Sequence, residues 1–307
     1  MILPFLLATL AAQIAAQDPP DVLFQGGTSQ VRLDVQVTSA GRAVPGLTKS
    51  DFIVRDEQDT AAIEYCGQDD EALSVLLLLD VSGSMKRYIE QMAKVAQRAL
   101  GQLHPADRAG LMLFSKETLL ALPLTLDRRS AAREIELAIL ESRLPSGTAI
   151  NAALLGAAAE MKKDRAAQKQ PGRYAIVILT DNGSLNYRVS DESVLRALFG
   201  ADTVLNAIVV GKNRALRGRS SSNADFTYPD VHKLAEESGG EAAAVERADQ
   251  AFPEMMRGIR QRYSLSYRLP EGAQPGTYRR LRVELSASAK RRYPKAQLRA
   301  RAGYYVP

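Results

Sequence analysis

Three short segments of this chain run out of an apolar stretch, or into a helical one, through oxygen-bearing side chains. Asp80, Ser82 and Ser84 follow four leucines in "LLLLDVSGSM", Thr148 stands in "PSGTAIN", and Thr180 with Asp181 follows "YAIVIL". Ligands of open α/β sheets bind where strands end at their carboxyl edges, so these are the candidate positions for chemistry. Two carboxylates and three hydroxyls converging without a counter-charge would repel one another and lose hydration. A hard divalent cation resolves that conflict. With neither His nor Cys among the donors, the set suits Mg²⁺ first, with Ca²⁺ or Mn²⁺ as alternatives, rather than zinc or copper. Taken singly, "DVSGS" reads equally well as a helix cap, with Ser82 or Ser84 satisfying free N–H groups of a helix starting near Met85. It is the three loops together that point to a metal.

The elements that must position these residues follow from the hydropathy pattern. "ALSVLLLLD", "AGLMLFS", "TLLALPLT", "YAIVILTD" and "TVLNAIVVG" are short and nearly continuous in apolar residues, as strands buried on both faces should be. Between them Met85, Ile89, Met92, Ala96, Ala99 and Leu103 recur at helical steps, as do Ile135 and Ile139, and Leu154, Ala158 and Met161. Alternating strands and helices predict a mostly parallel sheet covered on both sides, over residues 72–250. "ETLLALPLTL" follows "GLMLFSK" so closely that the two predict a hairpin, with one antiparallel strand at an edge.

Both ends read as β-structure. Residues 18–71 alternate through Val31, Leu33, Val35 and Val37, and residues 251–307 alternate again between Pro-Gly turns. This order predicts a β-sandwich-like domain that the C-terminal segment completes with residues 28–66. Residues 214–230 read as a long exposed loop, Gly239 and Gly240 as a helix cap and turn, and Tyr263, Tyr267, Tyr304 and Tyr305 as packing between sheets.

The 307 residues are 46% hydrophobic and 24% charged, an ordinary globular balance. An apolar stretch followed by "QDPPD" resembles a secretory signal over residues 1–17, too short for a membrane span of roughly 20 residues. The expectation is a secreted or periplasmic protein with no stable membrane span once the signal is removed. Cys66 is the single cysteine, so it makes no internal disulfide and reads as an inert thiol. Residues 251–307 hold thirteen Lys and Arg against three Glu and no Asp, a net +10. The basic residues alternate with apolar ones and no aromatic-basic motif accompanies them, which predicts solvated outward strand faces and no nucleic-acid partner.

The order Asp80-x-Ser82-x-Ser84, Thr148, Asp181, with 68 residues from the first to Thr148 and 33 more to Asp181, resembles the metal-ion-dependent adhesion site of von Willebrand factor A domains. "VPGLTKSDFIVRDE", "LAEESGGEAAAV", "IRQRYSLSYRLPEG" and "LRARAGYYVP" are further similar to exported bacterial VWFA-related proteins of the acidobacterial type. The resemblance implies an α/β, Rossmann-like fold and hydroxyl ligands from Ser82, Ser84 and Thr148. It also implies that Asp80 and Asp181 bind the ion directly or through water, and that a protein partner presents Asp or Glu to the metal. Asn182-Gly183 departs from the pattern, since many relatives have Gly directly after the aspartate, which puts partner specificity in question.

Enzyme readings find little support. The carboxylate that a phosphotransferase would need two residues after Asp80 is Ser82, "GLTKSDF" lacks the phosphate-loop spacing, and the two histidines, His104 and His232, read as surface or packing residues. The chain therefore reads as a binding or adhesion module, with a structural or assembly role in the cell envelope as the alternative and hydrolysis set aside.

Overall fold

The computed structural model describes residues 30–307 except 69–70, 89–99, 141–143, 170–171, 215, 224 and 247. The signal read at residues 1–17, and Ile89, Met92, Ala96 and Ala99 of the first predicted helix, lie outside the described residues. Met85 and Leu103, which flank that stretch, are buried.

Six strands form the central sheet in the spatial order Ala242–Ala244, Val204–Val209, Arg173–Thr180, Leu73–Asp80, Arg108–Phe114 and Thr118–Thr125. All neighbours are parallel except the last pair, which is the expected hairpin with its antiparallel edge strand. Every residue of Leu73–Asp80 and of Arg173–Thr180 is buried, and this explains their unbroken apolar runs. Side chains alternate between faces. Val75, Leu77 and Leu79 pack with Ile135, Phe252, Met255 and Ile259 on one side, while Leu76 and Leu78 pack with Leu154, Met161, Val194 and Leu198 on the other. Fully burying each such side chain contributes roughly 1.5–3 kcal/mol, so the strand ending at Asp80 is a rigid support.

The helix Ala248–Arg260 spans the boundary drawn at residue 250. Its Phe252, Met255, Met256 and Ile259 belong to the core of the central sheet. Its chain then passes directly into the strand Tyr263–Arg268.

The terminal segments interleave in two antiparallel sheets. One has the order Ala296–Arg299, Gln30–Ser39, Tyr263–Arg268, Ile63–Gln68; the other runs Gly303–Tyr305, Tyr278–Leu285, Phe52–Asp56, Asp59–Ala61. Val31, Leu33, Val35, Tyr263 and Tyr267 from the first share one buried cluster with Phe52, Val54, Leu281 and Tyr304 from the second. The C-terminal alternation is interrupted by a short helix, Ala287–Arg292, which the strand pattern did not anticipate. Ser286 caps it by accepting the Ala289 N–H, and "ASAKRR" is rich in helix formers.

The expectation that the basic residues of this region are solvated on outward strand faces is corrected at several positions. Arg262 is buried and paired with Asp34, and Arg301 donates to Asp202 at 2.9 Å. Arg260 lies 3.3 Å from the buried Asp107, whose carboxylate also accepts the backbone N–H groups of Leu73 and His104. Gly239 and Gly240 do more than end a helix. An added Cβ would stand 2.4 Å from Arg301 N at Gly239 and 1.9 Å from Leu205 O at Gly240. Cys66 is half-buried, and burial, with the Asp51 charge second, holds its thiol above the ordinary range.

Within the shared cluster lies a buried carboxylate, Asp56, only 1% exposed. It accepts from Tyr267 Oη at 2.9 Å, Tyr304 Oη at 2.7 Å and Arg279 Nε at 2.7 Å. Burial, followed by the Asp56 hydrogen bond and charge, pushes the Tyr304 phenol up to about 12. Asp56→Ala strands a guanidinium and two phenols and should lower the unfolding free energy by roughly 3–5 kcal/mol. Tyr304→Phe should cost about 1.5 kcal/mol. Urea denaturation of both variants checks the order, and equal losses would remove the carboxylate from this central place.

Candidate metal centre

Asp80 is the last residue of the central strand and is fully buried. Its Oδ1 accepts the Ser82 backbone N–H at 2.9 Å, and its Oδ2 accepts the Thr180 hydroxyl at 2.7 Å. Thr180 ends the adjacent strand, so the parallel pairing of the two strands sets the carboxylate's position. Ser82 stands at the N-terminal cap position of the short 3₁₀ turn Gly83–Met85, yet its side chain makes no capping hydrogen bond. At this turn the cap reading is thus not realised for Ser82. The Ser82 and Ser84 hydroxyls instead approach each other to 3.3 Å.

The Thr148 loop is held from two sides. Ser115 Oγ donates to Pro145 O at 2.6 Å and Ser115 O accepts the Ala149 N–H at 2.8 Å. From the third loop, Ser184 Oγ donates to Thr148 O at 2.7 Å. Ser184 therefore ties the Thr148 and Asp181 loops together, a role that sequence reasoning missed because its partner lies 36 residues away. Among the described residues no hydrogen bond engages the Thr148 hydroxyl.

Asp181 is 9% exposed and its Oδ1 accepts the Gly183 N–H at 2.9 Å. The departure at Asn182-Gly183 has a backbone explanation. Asn182 takes the left-handed conformation, φ 57°, which Asn tolerates better than most residues other than glycine. A Cβ on Gly183 would come within 2.8 Å of Asp181 Oδ1, so glycine is needed one position later. The Asn182 amide donates to Leu216 O at 3.1 Å, anchoring part of the 214–230 segment beside the site. Within that segment Phe226–Thr227 pairs with Asn186–Tyr187, so the stretch read as a long loop contains a short strand.

Electrostatics mark Asp80 as the strained group. Burial, with the Asp181 charge adding a smaller push, raises its carboxyl to about 6, against the pull of hydrogen bonds from Ser82 and Thr180. Among the described residues no three His, Cys, Asp or Glu side chains gather here, so a cation would be held largely by hydroxyls. Two carboxylates, two facing serine hydroxyls and an unengaged threonine hydroxyl are hard oxygen donors that fit Mg²⁺ or a similar ion. His104 is exposed, and His232 is buried with Nε2 2.7 Å from Arg214 O; both stand apart from these donors.

The raised carboxyl has a defined consequence for stability. Unfolded, Asp80 titrates near 3.8; folded, near 6, so the folded state binds the proton more tightly. That contribution is present below about pH 4 and is lost as pH rises to about 6, a cost of roughly 3 kcal/mol. Thermal unfolding in chelator should show Asp80→Asn losing less stability than the parent chain between pH 4 and 7. Parallel curves would contradict the assignment.

The sequence matches the von Willebrand factor type A domain over residues 75–184. Among solved structures, an aerotolerance-related membrane protein from Bacteroides fragilis NCTC 9343 is 20% identical with a TM-score of 0.47, covering 61% of this chain and 98% of that one. BatB from Bacteroides thetaiotaomicron is 21% identical at 0.47, covering 61% and 97%. A von Willebrand factor type A protein from Catenulispora acidiphila is 12% identical at 0.46, covering 92% and 75%. Comparison with curated proteins finds none that matches. Asp80, Ser82, Ser84, Thr148 and Asp181 all fall within the matched segment, at the carboxyl edge of its central strands and the loop between them, and this chain carries a von Willebrand factor type A domain.

Proposed function

We propose that the protein is an exported, non-catalytic binding module that holds a divalent cation at Asp80, Ser82, Ser84, Thr148 and Asp181. Its partner is a protein that presents an Asp or Glu. The observation that carries this reading is the buried Asp80 carboxylate, which has hydroxyl neighbours and no cationic partner among the described residues. Burying a carboxylate in that way costs several kcal/mol unless a cation compensates it. When bound, the ion supplies a Lewis-acidic position for an external carboxylate. The chain's own residues do the rest: Thr180 and the Ser82 amide orient Asp80, Ser184 holds the Thr148 loop, and Asn182-Gly183 shapes the loop of Asp181.

The reading extends to the terminal segments, whose two antiparallel sheets would form a sandwich-like platform beneath the domain. Among the described residues no helix is long and apolar enough to cross a membrane. Export rests on the apolar N-terminal stretch of the sequence.

Titration calorimetry with MgCl₂ tests the site. Thr148→Ala should weaken Mg²⁺ binding tenfold or more, about 1.4 kcal/mol, with an unchanged circular dichroism spectrum. Partner capture separates adhesion from a structural role. If chelator lowers the melting temperature but leaves capture of a carboxylate-bearing partner intact, the ion only stabilises the loops and the adhesion reading fails.

A further inference from the structure

Away from the proposed metal centre, the junction between the central sheet and the terminal sheets contains a cavity of about 30 Å³. Arg165, Arg173 and Asp202 contribute to its wall from the von Willebrand domain, and Arg32, Asp34 and Arg301 from the terminal segments. Charge is unbalanced there. Among the described residues, and setting aside Arg32 with its partner Glu71, the guanidinium groups of Arg165, Arg173 and Arg301 in the wall and of Arg262 behind Asp34 meet two carboxylates. Asp34 pairs with Arg262 and lies 3.9 Å from Arg173; Asp202 is 2.9 Å from Arg301 and 3.4 Å from Arg165. Four cations against two anions leave two positive charges in excess among the described residues.

Two further observations register that excess. Arg301 Nε and Arg262 Nη1 are buried donors with no hydrogen-bond partner among the described residues, on side chains 10% and 1% exposed. Burial first, and then the Arg32 and Arg301 charges, depress the ionisation of Arg165; burial first, and then Arg260 and Arg262, depress that of Arg173. A buried donor without a partner costs free energy, and buried like charges add to it.

We propose that this cavity binds one small monovalent inorganic anion of chloride size. The wall supplies the counter-charge and Arg301 Nε supplies a free donor. The volume sets the size: about 30 Å³ holds roughly two waters, enough for one halide but too little for the four oxygens of sulfate or phosphate. Water could satisfy the donor but not the charge. Because Arg165 and Arg173 belong to one unit and Arg32 and Arg301 to the other, the anion joins the two units and adds to the stability of the whole chain.

The test uses the full chain in chelator, so that the metal centre takes no part. Chloride NMR should show excess line width that bromide displaces. The excess should be lost in Arg301→Gln and retained in Arg280→Gln, a change at an exposed arginine. Replacing gluconate by chloride at constant ionic strength should raise the melting temperature by roughly 2–4 °C in the parent chain and not in Arg301→Gln. Should Arg301→Gln fail to fold, bromide-soaked crystals of the parent chain decide the matter, with one anomalous peak expected in the cavity. An empty or water-filled cavity in those crystals, or line widths equal in the parent chain and folded Arg301→Gln, would overturn the proposal.

Discussion

The parallel pairing of Leu73–Asp80 between Arg173–Thr180 and Arg108–Phe114 is the constraint on which the rest of the molecule depends. A strand hydrogen-bonded on both edges and covered on both faces has no freedom left, so its last residue is fixed as firmly as its first. That residue is Asp80. The strand beside it ends at the same level, at Thr180, one residue past the last pair Leu79–Leu179, and the Thr180 hydroxyl reaches the Asp80 carboxylate. The sheet that excludes water from the leucines thus also strips solvent from a carboxylate, and the same burial raises its proton affinity.

A second buried carboxylate is treated in the opposite way. Asp56 lies in the core shared by the terminal sheets and is fully provided for, with an arginine and two tyrosine hydroxyls converging on it. Such a satisfied network fixes how Phe52–Asp56, Tyr263–Arg268, Tyr278–Leu285 and Gly303–Tyr305 meet. Asp80 has hydroxyl and amide donors but no cation of its own among the described residues. The contrast separates a carboxylate whose charge is met inside the fold from one that burial leaves with hydroxyl and amide donors alone among the described residues.

The two units are joined by arginines rather than by apolar surface alone. Arg173, at the start of a central strand, donates to Ile259 O at 3.0 Å and Arg260 O at 2.9 Å, at the end of the helix Ala248–Arg260. Those carbonyls are among the last of the helix and lack intrahelical donors, so a guanidinium there meets an existing need. Arg262 continues the seam with Asp34 and Gly239 O. Gly239 is irreplaceable in consequence, since its backbone is in close contact with Arg301 and accepts from Arg262.

The sequence by itself determined the central sheet, its antiparallel edge strand and the placement of Asp80, Ser82, Ser84 and Asp181 directly after buried strands, because each depends on short-range pattern; Thr148, which opens a helix, is tied to them, among the described residues, only through Ser115 and Ser184. Continuous apolar runs mark doubly buried strands, and polar residues directly after them fall at one sheet edge whatever the rest of the chain does. It also marked Tyr263, Tyr267 and Tyr304 as packing residues. Only the tertiary structure decided what each side chain meets. The bond from Ser184 to the Thr148 loop, the acceptor shared by Tyr267 and Tyr304, and the burial of Arg262 join residues dozens to hundreds of positions apart, and hydropathy has no term for such pairings. The basic C-terminal segment shows the difference most clearly. Composition counted its charges, but which arginines turn inward depended on where Asp34, Asp107 and Asp202 had been placed by other parts of the fold.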